Sequence, residues 1–402
     1  MRRKKNLLVG LSFLALIVAC GVGQTLIDDT AEEQQVANSD NLVPMFEVDP
    51  FWPKPLPDHW VLGSTIGVDV DSRDHVWIIH RKGSLSATEI PASLDPPLAD
   101  TCCAPAPPVL EFDSEGNVVG NWGGPGDEYT WPASNHGITI DHIDNVWIGG
   151  NGEGDSHVLK FTRDGQFLLE VGAPGMGVDS NSDSHYSQVA KISIDSEANE
   201  AYFADGYGNR RVAVVDMSTG VLKRFWGAYG NKPDDSDLGL YNPDAAPAQQ
   251  FRTPVHCAEV SNSGLIYVCD RRGNRIQVFE KDGTFVDEVF IAKTTLGAGA
   301  VWDIDLSSDD NQRYLYVADG VNEKVYIIER ESLKLLTSFG DGGRQAGAFY
   351  GLHSIATDSK GNIYTTETYE GKRLQKFVYQ GMGSVPAGAE GLNSQGLLWP
   401  NK

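Results

Sequence analysis

The chain has 402 residues, of which 41% are hydrophobic and 22% are charged, the balance expected of a globular protein. Its formal net charge is −23, and no stretch rich in Lys and Arg follows residue 5, so binding to nucleic acid is excluded. The 44 glycines, together with many Trp, Tyr and Phe residues, favour short strands joined by tight turns.

The first twenty residues have the pattern of a targeting segment. A basic stretch is followed by an apolar run, Leu7 to Ala19, that is too short to span a bilayer comfortably. The run ends in Ile-Val-Ala before Cys20, which resembles the lipobox of bacterial lipoproteins, in which the cysteine is lipidated after cleavage. Ordinary cleavage nearby, with Cys20 unmodified, is the alternative.

We therefore expect residues 1–20 to be a lipoprotein signal peptide and residues 21–43 to be a flexible, acidic tether. The protein is then expected in a bacterial cell envelope, held by its lipid at the periplasmic side or at the outer-membrane surface.

From residue 44 onward, one pattern of four short strands recurs six times. An alternating strand, a polar turn and a strand rich in Val, Ile, Tyr and Trp are followed by a hairpin in each copy. Turns such as Arg163-Asp-Gly165 and Lys281-Asp-Gly283 are strong hairpin signals. The copies resemble NHL repeats. Six such units predict an all-β, six-bladed β-propeller over residues 44–380.

The two ends of the repeat series complement each other. The sixth copy lacks a fourth strand after Phe377 to Tyr379, whereas a spare apolar strand, Val43 to Phe51, precedes the first copy. We expect this N-terminal strand to close the last blade, because closure hides both sheet edges.

Segments outside the repeats are expected to be loops. Insertions at 82–108, 173–188 and 228–254 should lie over one face, and residues 381–402 should form a loosely held tail. We expect a monomer.

The repeat alignment places three histidines at equivalent positions. Since the first strand of each blade lines the central channel, equivalent positions form a ring around the axis. This position holds His136, His256 and His353 in blades 2, 4 and 6. In the other blades it holds Ile66, Ala190 and Trp302. Three imidazoles should therefore converge on one axial point, and three nitrogens with one open side are a ligand set of catalytic zinc.

A second group of polar residues is predicted at the same mouth of the channel. Arg81, Tyr207 and Arg271 lie near the ends of second strands. Guanidinium groups bind a carboxylate in a bidentate manner, and a phenol beside a metal can act as a general base. Each residue alone would fit an arginine paired with a nearby Asp, or a core tyrosine. Beside the histidines they predict a site for a small-molecule or peptide carboxylate.

Four cysteines follow Cys20, and an oxidising compartment would permit disulfides. Cys257 and Cys269 flank a turn at 262–264, which predicts a cross-strand bridge. For Cys102 and Cys103 the sequence leaves open a vicinal disulfide, two free thiols or half of another pairing.

Six short motifs, spread over about residues 60–380, resemble one enzyme family, peptidyl-α-hydroxyglycine α-amidating lyase. They are Ile79-His-Arg81, Asn135-His-Gly137, Asp205-Gly-Tyr-Gly-Asn-Arg210, Pro254-Val-His256, Cys269-Asp-Arg-Arg-Gly-Asn-Arg-Ile-Gln277 and Leu352-His-Ser354. The resemblance implies a six-bladed propeller with zinc on the three histidines. It implies Arg81 and Arg271 around the substrate carboxylate and hydroxyl, and Tyr207 as the base. The family reaction splits a C-terminal α-hydroxyglycine into an amide and glyoxylate.

The chain also departs from that family. The family's channel calcium is held by backbone carbonyls, which match Val68 and Ile138, and by an Asp that is Ser354 here; a family Met is replaced by Gly351. Calcium is therefore expected with less support than zinc. The departures also point to a relative whose substrate is another α-hydroxy carboxylate or carbinolamide.

Two other functions compete with this interpretation. One is a non-enzymatic NHL-type propeller that binds an envelope partner through its loops. The other, a lactonase-like hydrolase, is disfavoured because those sites use axial Glu, Asp and Asn around calcium.

Overall fold

The computed structural model describes residues 42–384 together with residues 394 and 395, and over this range the chain forms a six-bladed β-propeller. Six antiparallel sheets contain four propeller strands each, called a to d from the axis outward. Strand a of each blade packs beside strand a of the next, and blade 6 packs beside blade 1, so the ring is closed.

The strands have the following bounds, in the order a to d. In blade 1 they are Ser64–Val70, Val76–Arg81, Val109–Phe112 and Val118–Trp122. In blade 2 they are Asn135–Ile140, Val146–Gly150, His157–Phe161 and Phe167–Gly172. In blade 3 they are Val189–Asp195, Glu200–Asp205, Arg211–Asp216 and Leu222–Trp226. In blade 4 they are Val255–Val260, Leu265–Asp270, Arg275–Glu280 and Phe285–Phe290. In blade 5 they are Asp303–Leu306, Tyr314–Asp319, Lys324–Glu329 and Lys334–Phe339. In blade 6 they are Leu352–Thr357, Ile363–Glu367, Arg373–Ser384 and Leu42–Asp49.

The N-terminal strand closes blade 6, as the missing fourth strand predicted. It pairs antiparallel with strand c, from Leu42 opposite Ser384 to Asp49 opposite Lys376. It begins at Leu42, so residues 42 and 43 belong to the propeller and not, as the sequence predicts, to the tether. It ends at Asp49 because Pro50 has no N–H to continue the ladder. Strand c runs to Ser384, four residues past the expected end of the propeller at 380.

The predicted signal peptide with Cys20, the tether as far as residue 41 and most of the tail lie outside the described residues. No helix in the part of the chain that the structure describes is both long and apolar enough to cross a membrane.

The Asp that recurs between strands a and b has a structural role in the repeats. In blade 2 the Asp141 carboxylate accepts the backbone N–H of Asn145 and, at 3.2 Å, the indole N–H of the buried Trp147. Asp71 does the same for Trp77 in blade 1. The carboxylate thereby fixes the turn and accepts a hydrogen bond from the buried indole N–H. Burying that N–H without an acceptor would destabilise the fold.

The remaining elements are short. A parallel pair, Trp60–Val61 with Ala104–Pro105, lies beside blade 1, and Ser394–Gln395 adds to strand d of blade 5. Single-turn 3₁₀ helices occur at Pro57–His59, Lys82–Ser84, Pro91–Ser93, Ala228–Gly230 and Arg271–Gly273.

Antiparallel pairing puts all three insertions on one side of the ring. The starts of strands a and c and the ends of strands b and d lie at one face, called here the upper face. Insertion 82–108 connects b to c, and insertions 173–188 and 228–254 connect d to the next a. All three therefore lie on the upper face.

Both internal cysteine pairs form disulfides. One joins Cys257 in strand a to Cys269 in strand b of blade 4, as expected. The other joins Cys102 to Cys103 in insertion 82–108, which selects the vicinal disulfide among the three alternatives.

Candidate metal centre

The three aligned histidines lie at irregularities of the innermost strands. Five of the six a strands contain a register shift near the upper face, and His136, His256 and His353 lie at three of these β-bulges. A bulge adds one residue and turns a side chain away from the regular sheet direction. Gly137, at φ +52°, follows His136, and a Cβ there would come within 2.4 Å of the Ala190 carbonyl oxygen. The bulges direct the imidazoles into the channel.

The three imidazoles meet at the axis. Their ring centroids are 5.1, 4.9 and 5.0 Å apart, and one nitrogen of each lies within 4.8 Å of those of the other two. His136, His256 and His353 are only 1%, 2% and 3% exposed. Alternate blades therefore build one buried, three-nitrogen cluster.

The intervening blades orient the imidazoles of His136 and His256. His136 Nδ1 donates to the Ala190 carbonyl at 2.7 Å, and His256 Nδ1 donates to the Trp302 carbonyl. A proton held on Nδ1 leaves the lone pair on Nε2, where a metal would bind.

His353 is oriented through a hydroxyl. Its Nδ1 lies 3.2 Å from Ser354 Oγ, and that hydroxyl donates to the Ile66 carbonyl at 3.0 Å. The hydroxyl oxygen can thus accept the Nδ1 proton. Each blade without an axial histidine contributes a backbone carbonyl to the orientation of one imidazole.

Burial holds the cluster in its neutral form. Desolvation lowers the pKa of all three histidines well below the usual value; the positive charge of Arg271 lowers all three further, and that of Arg81 lowers the pKa of His136 and His353. Neutral imidazole is the form that binds metal ions. Three such nitrogens fit a divalent transition metal, and zinc in particular.

Tyr207 closes the cluster from above. Its hydroxyl oxygen lies 3.1 Å from His136 Nε2 and 3.0 Å from His256 Nε2, and it accepts from Arg271 at 3.0 Å. The single hydroxyl proton can serve only one of these two imidazoles at a time. A Cβ on Gly206 or Gly208 would come within 2.0 Å of neighbouring atoms, so glycine on both sides lets this loop reach the axis.

Arg81 and Arg271 flank the cluster, and neutral groups hold them. Arg81 Nε donates to the Asn135 carbonyl at 3.1 Å, and Arg271 Nε donates to the Ala298 carbonyl at 3.0 Å. The Arg271 guanidinium also lies 4.4 Å from the ring centroid of Trp302. Within residues 42–384, neither has a carboxylate oxygen within 4 Å, so both can bind an anionic ligand.

Sequence reasoning missed the part played by Trp302, which it treated only as the residue filling an axial position. Its carbonyl orients His256, its ring lies under Arg271, and its centroid is 5.5 Å from that of His353. Tyr369 packs against its edge at 6.3 Å and remains 58% exposed at the mouth. The place of Trp302 in the repeat alignment was the signal that could have indicated this role.

A second set of polar groups lies deeper in the channel, and we call it the lysine level. The Lys191 ammonium lies 2.8 Å from carboxylate oxygens of both Asp303 and Glu259. Burial raises the pKa of Asp303 to about 6, and those of Asp69 and Asp305 to about 7. Burial opposes a charged Lys191, but the neighbouring carboxylates raise its pKa above the usual value.

The residues that matched the family's calcium positions lie just above this network. Val68 and Ile138 line a small cavity beneath the histidines, together with Ser354, Lys191 and Asp303. The side chain that follows the third histidine is a hydroxyl already engaged with a carbonyl. The positive charge beside this cavity is the ammonium group of Lys191.

Among the described residues there is one other group of potential ligands, Asp71, His75 and Glu111, and it already holds a cation of the protein. The Arg163 guanidinium donates to Asp71 at 2.8 Å and to Glu111. This cluster ties blade 2 to blade 1, and its geometry is that of a structural ion-pair network.

Comparisons with known proteins agree with this architecture. No protein-family model matches the sequence. Homologues of the chain include peptidylglycine amidating monooxygenases and NHL-repeat proteins. Peptidyl-glycine alpha-amidating monooxygenase B of Xenopus laevis is 29% identical over 156 residues, which are 38% of this chain and 16% of that protein. NHL repeat-containing protein 3 of Homo sapiens is 24% identical over 243 residues, 59% of this chain and 57% of that protein.

The chain thus spans less than two thirds of the length of either relative. A solved structure from Bacteroides thetaiotaomicron, of a protein of unknown function, superposes with a TM-score of 0.52 at 12% identity, covering 84% of this chain and 77% of that one. This likeness shows a shared fold.

Proposed function

We propose that the protein is a zinc-dependent lyase that cleaves the N–C bond of an α-hydroxy carboxylate carbinolamide, as in the amidating reaction. One observation carries the proposal: one nitrogen each of the buried His136, His256 and His353 lies within 4.8 Å of the other two, and the Tyr207 hydroxyl lies 3.1 and 3.0 Å from Nε2 of the first two. When bound there, zinc would act as a Lewis acid on an oxygen of the substrate.

The arginines provide the recognition of the substrate carboxylate. Arg271 donates to Tyr207 and to a backbone carbonyl, and Arg81 is held in a comparable way on the other side. Each guanidinium has five N–H donors, so donors remain for a carboxylate. Because no protein carboxylate competes for them within residues 42–384, the substrate supplies the missing negative charge.

Tyr207 provides the proton transfer. Tyr207 first loses its own proton to solvent, and the resulting phenolate would be stabilised by Arg271 and by a metal bound at the histidines. The phenolate oxygen then takes the proton of the substrate hydroxyl while the C–O bond becomes a carbonyl and the C–N bond breaks. The same proton then passes to the leaving amide nitrogen. The products are a primary amide and glyoxylate, and no water or oxidant is consumed. General acid–base catalysis of this type contributes about 10²- to 10⁴-fold.

The proposal is tested by adding α-hydroxyhippurate to the zinc-loaded protein and measuring release of glyoxylate and benzamide. Metal analysis of the protein as purified should find one zinc per chain, and none in the triple variant with alanine at 136, 256 and 353. Failure of the zinc-loaded protein to cleave α-hydroxyhippurate and the related carbinolamides would overturn the proposal.

A non-enzymatic NHL-type function is the second candidate. It is favoured because the match with NHL repeat-containing protein 3 covers 59% of this chain, whereas the match with the monooxygenase covers 38%. It predicts that His136→Ala leaves the cellular function intact, whereas the lyase proposal predicts its loss.

We further propose that the protein acts while held by lipid on Cys20 in a bacterial cell envelope, on the strength of the N-terminal sequence. Cys20→Ala should then move the protein from the membrane fraction to the soluble fraction. An unchanged distribution would contradict the proposal.

A further inference from the structure

A second cavity opens on the upper face beside the metal centre. Its volume is about 340 Å³. Its walls come from insertion 228–254 and from three loops of the propeller. Its principal lining residues are Arg210, Leu240, Tyr241, Arg252, Arg272 and Leu296.

The cavity is built from the segments that carry the proposed catalytic residues. Arg272 directly follows Arg271, so their Cα atoms are about 3.8 Å apart, and Arg210 is three residues beyond Tyr207. Gly297, on the opposite wall, precedes the Ala298 carbonyl that accepts from Arg271. The cavity is therefore bordered by the same loops that position Tyr207 and Arg271.

The walls are held in place by buried groups. Arg275, only 1% exposed, donates to the Ala248 carbonyl at 2.9 Å and to the Gln250 carbonyl at 3.2 Å in insertion 228–254. The Arg252 backbone N–H donates to the buried carboxylate of Asp270 at 2.9 Å. The cavity is thus formed before any ligand enters, which lowers the entropic cost of binding.

Three arginines give this cavity an excess of positive charge. Arg252 donates to the Gly239 carbonyl at 2.8 Å, and Arg210 donates to carbonyls of the same insertion. Within residues 42–384, no carboxylate oxygen lies within 4 Å of the guanidinium nitrogens of Arg210, Arg252 or Arg272, although the whole chain carries a net charge of −23. The cavity's one acidic side chain, Asp237, accepts from a backbone N–H at 2.9 Å.

Apolar surface lies next to these charges. Leu240 is 97% exposed and Leu296 is 60% exposed, and the Tyr241 ring lies 5.5 Å from the Arg252 guanidinium. A ligand that suits both features has an apolar chain ending in an anionic group.

We propose that this cavity, defined by Arg210, Arg252 and Arg272 with Leu240 and Leu296, binds a second carboxylate of the substrate, carried on an apolar spacer at the acyl side of the scissile bond. The inference rests on the proposed lyase function and adds its substrate class: acidic acyl or peptidyl carbinolamides.

The test compares two substrates of equal length, N-adipoyl-α-hydroxyglycine and N-hexanoyl-α-hydroxyglycine, which differ in one terminal carboxylate. The zinc-loaded protein should prefer the adipoyl compound in kcat/KM by about five- to tenfold, as expected for a partly exposed guanidinium–carboxylate pair. The preference should shrink toward unity in Arg272→Gln and Arg252→Gln. It should persist in the control Arg313→Gln, an exposed arginine at the opposite face. Equal kcat/KM for both substrates, or a preference unaffected by both cavity variants, would overturn the proposal while leaving the lyase function standing.

If neither substrate is cleaved, the lyase function is wrong. Binding measurements then test whether the cavity is a carboxylate-binding site. Calorimetry with adipoylglycine and hexanoylglycine, which lack the reacting hydroxyl, should then show tighter binding of the adipoyl compound and loss of this preference in Arg272→Gln. Equal affinities would reject the cavity as an anion site.

Discussion

The channel contains two sets of polar residues that satisfy their charges differently. At the histidine level, which comprises His136, His256 and His353, neutral imidazoles and nearby guanidiniums have no carboxylate partner among residues 42–384. At the lysine level, Lys191 is matched by Asp303 and Glu259 at 2.8 Å each. At the lower level the buried cation is paired within the chain, whereas at the upper level three neutral imidazoles and two guanidinium groups lie together without a carboxylate among the described residues. The contrast separates a structural network from a candidate site.

Removing one of the three histidines should have the largest effect on activity, because two imidazoles no longer form the proposed zinc site. We expect His136→Ala to lose its zinc and to reduce glyoxylate release by about a thousandfold or more, since a bound metal stabilises transition-state charge by several kcal/mol. Stability without metal should change little. Metal analysis and the α-hydroxyhippurate assay check this, with the exposed His142→Ala as control. Zinc retained at full stoichiometry in His136→Ala would contradict it.

Removing the Lys191 ammonium should affect the stability of the fold, whereas removing a histidine affects metal binding and activity. We expect Lys191→Met to lose about 3–5 kcal/mol in the free energy of unfolding at neutral pH, the usual cost of leaving buried charges unpaired. A carboxyl whose pKa is raised in the folded state stabilises the fold fully below its unfolded pKa. This stabilisation is lost as pH rises through the folded value, here about 6 for Asp303 and about 7 for Asp69 and Asp305.

The deficit of Lys191→Met should therefore grow between pH 5 and pH 8, as thermal unfolding at several pH values would show. Adding Asp303→Asn should recover part of it. A deficit independent of pH would mean that lost packing, not charge, is responsible.

Removing the phenol should separate binding from chemistry within the upper level. Tyr207→Phe keeps all three imidazoles, so zinc content should stay at one per chain. Activity should fall by about 100- to 1,000-fold because the proton acceptor is gone. Single-turnover kinetics with α-hydroxyhippurate test this, and Tyr129→Phe, in the connection between blades 1 and 2, serves as control. Full activity in Tyr207→Phe would remove the residue from the mechanism.

The smallest effect is expected where the two levels meet. Ser354→Ala removes the hydroxyl between His353 and the Ile66 carbonyl, so the imidazole loses its orientation. We expect zinc affinity to fall by about tenfold, with little change in stability. Competition with a chelator measures it, against Ser332→Ala on the surface. An unchanged affinity would show that Ser354 does not orient the ligand.

The sequence predicted the repeating features and missed those that depend on closure of the ring. Turns such as Lys281-Asp-Gly283 and the Asp141–Trp147 spacing are local signals, and aligned copies indicated which three histidines share a position. The pairing of Lys191 with Asp303 joins residues more than one hundred positions apart, and no local pattern encodes it. The intervening blades can supply carbonyl acceptors because of the bulges, which the sequence does not mark apart from Gly137.

The closing strand also determines at which face the two ends of the propeller lie. Leu42 lies opposite Ser384, at the far end of the sheet from the start of strand c. Both ends of the propeller therefore emerge from the side opposite the histidine mouth. If the protein is held through its amino terminus, as proposed, the connection to that anchor leaves the propeller on the face away from the mouth, so the anchor and the site do not compete for the same surface.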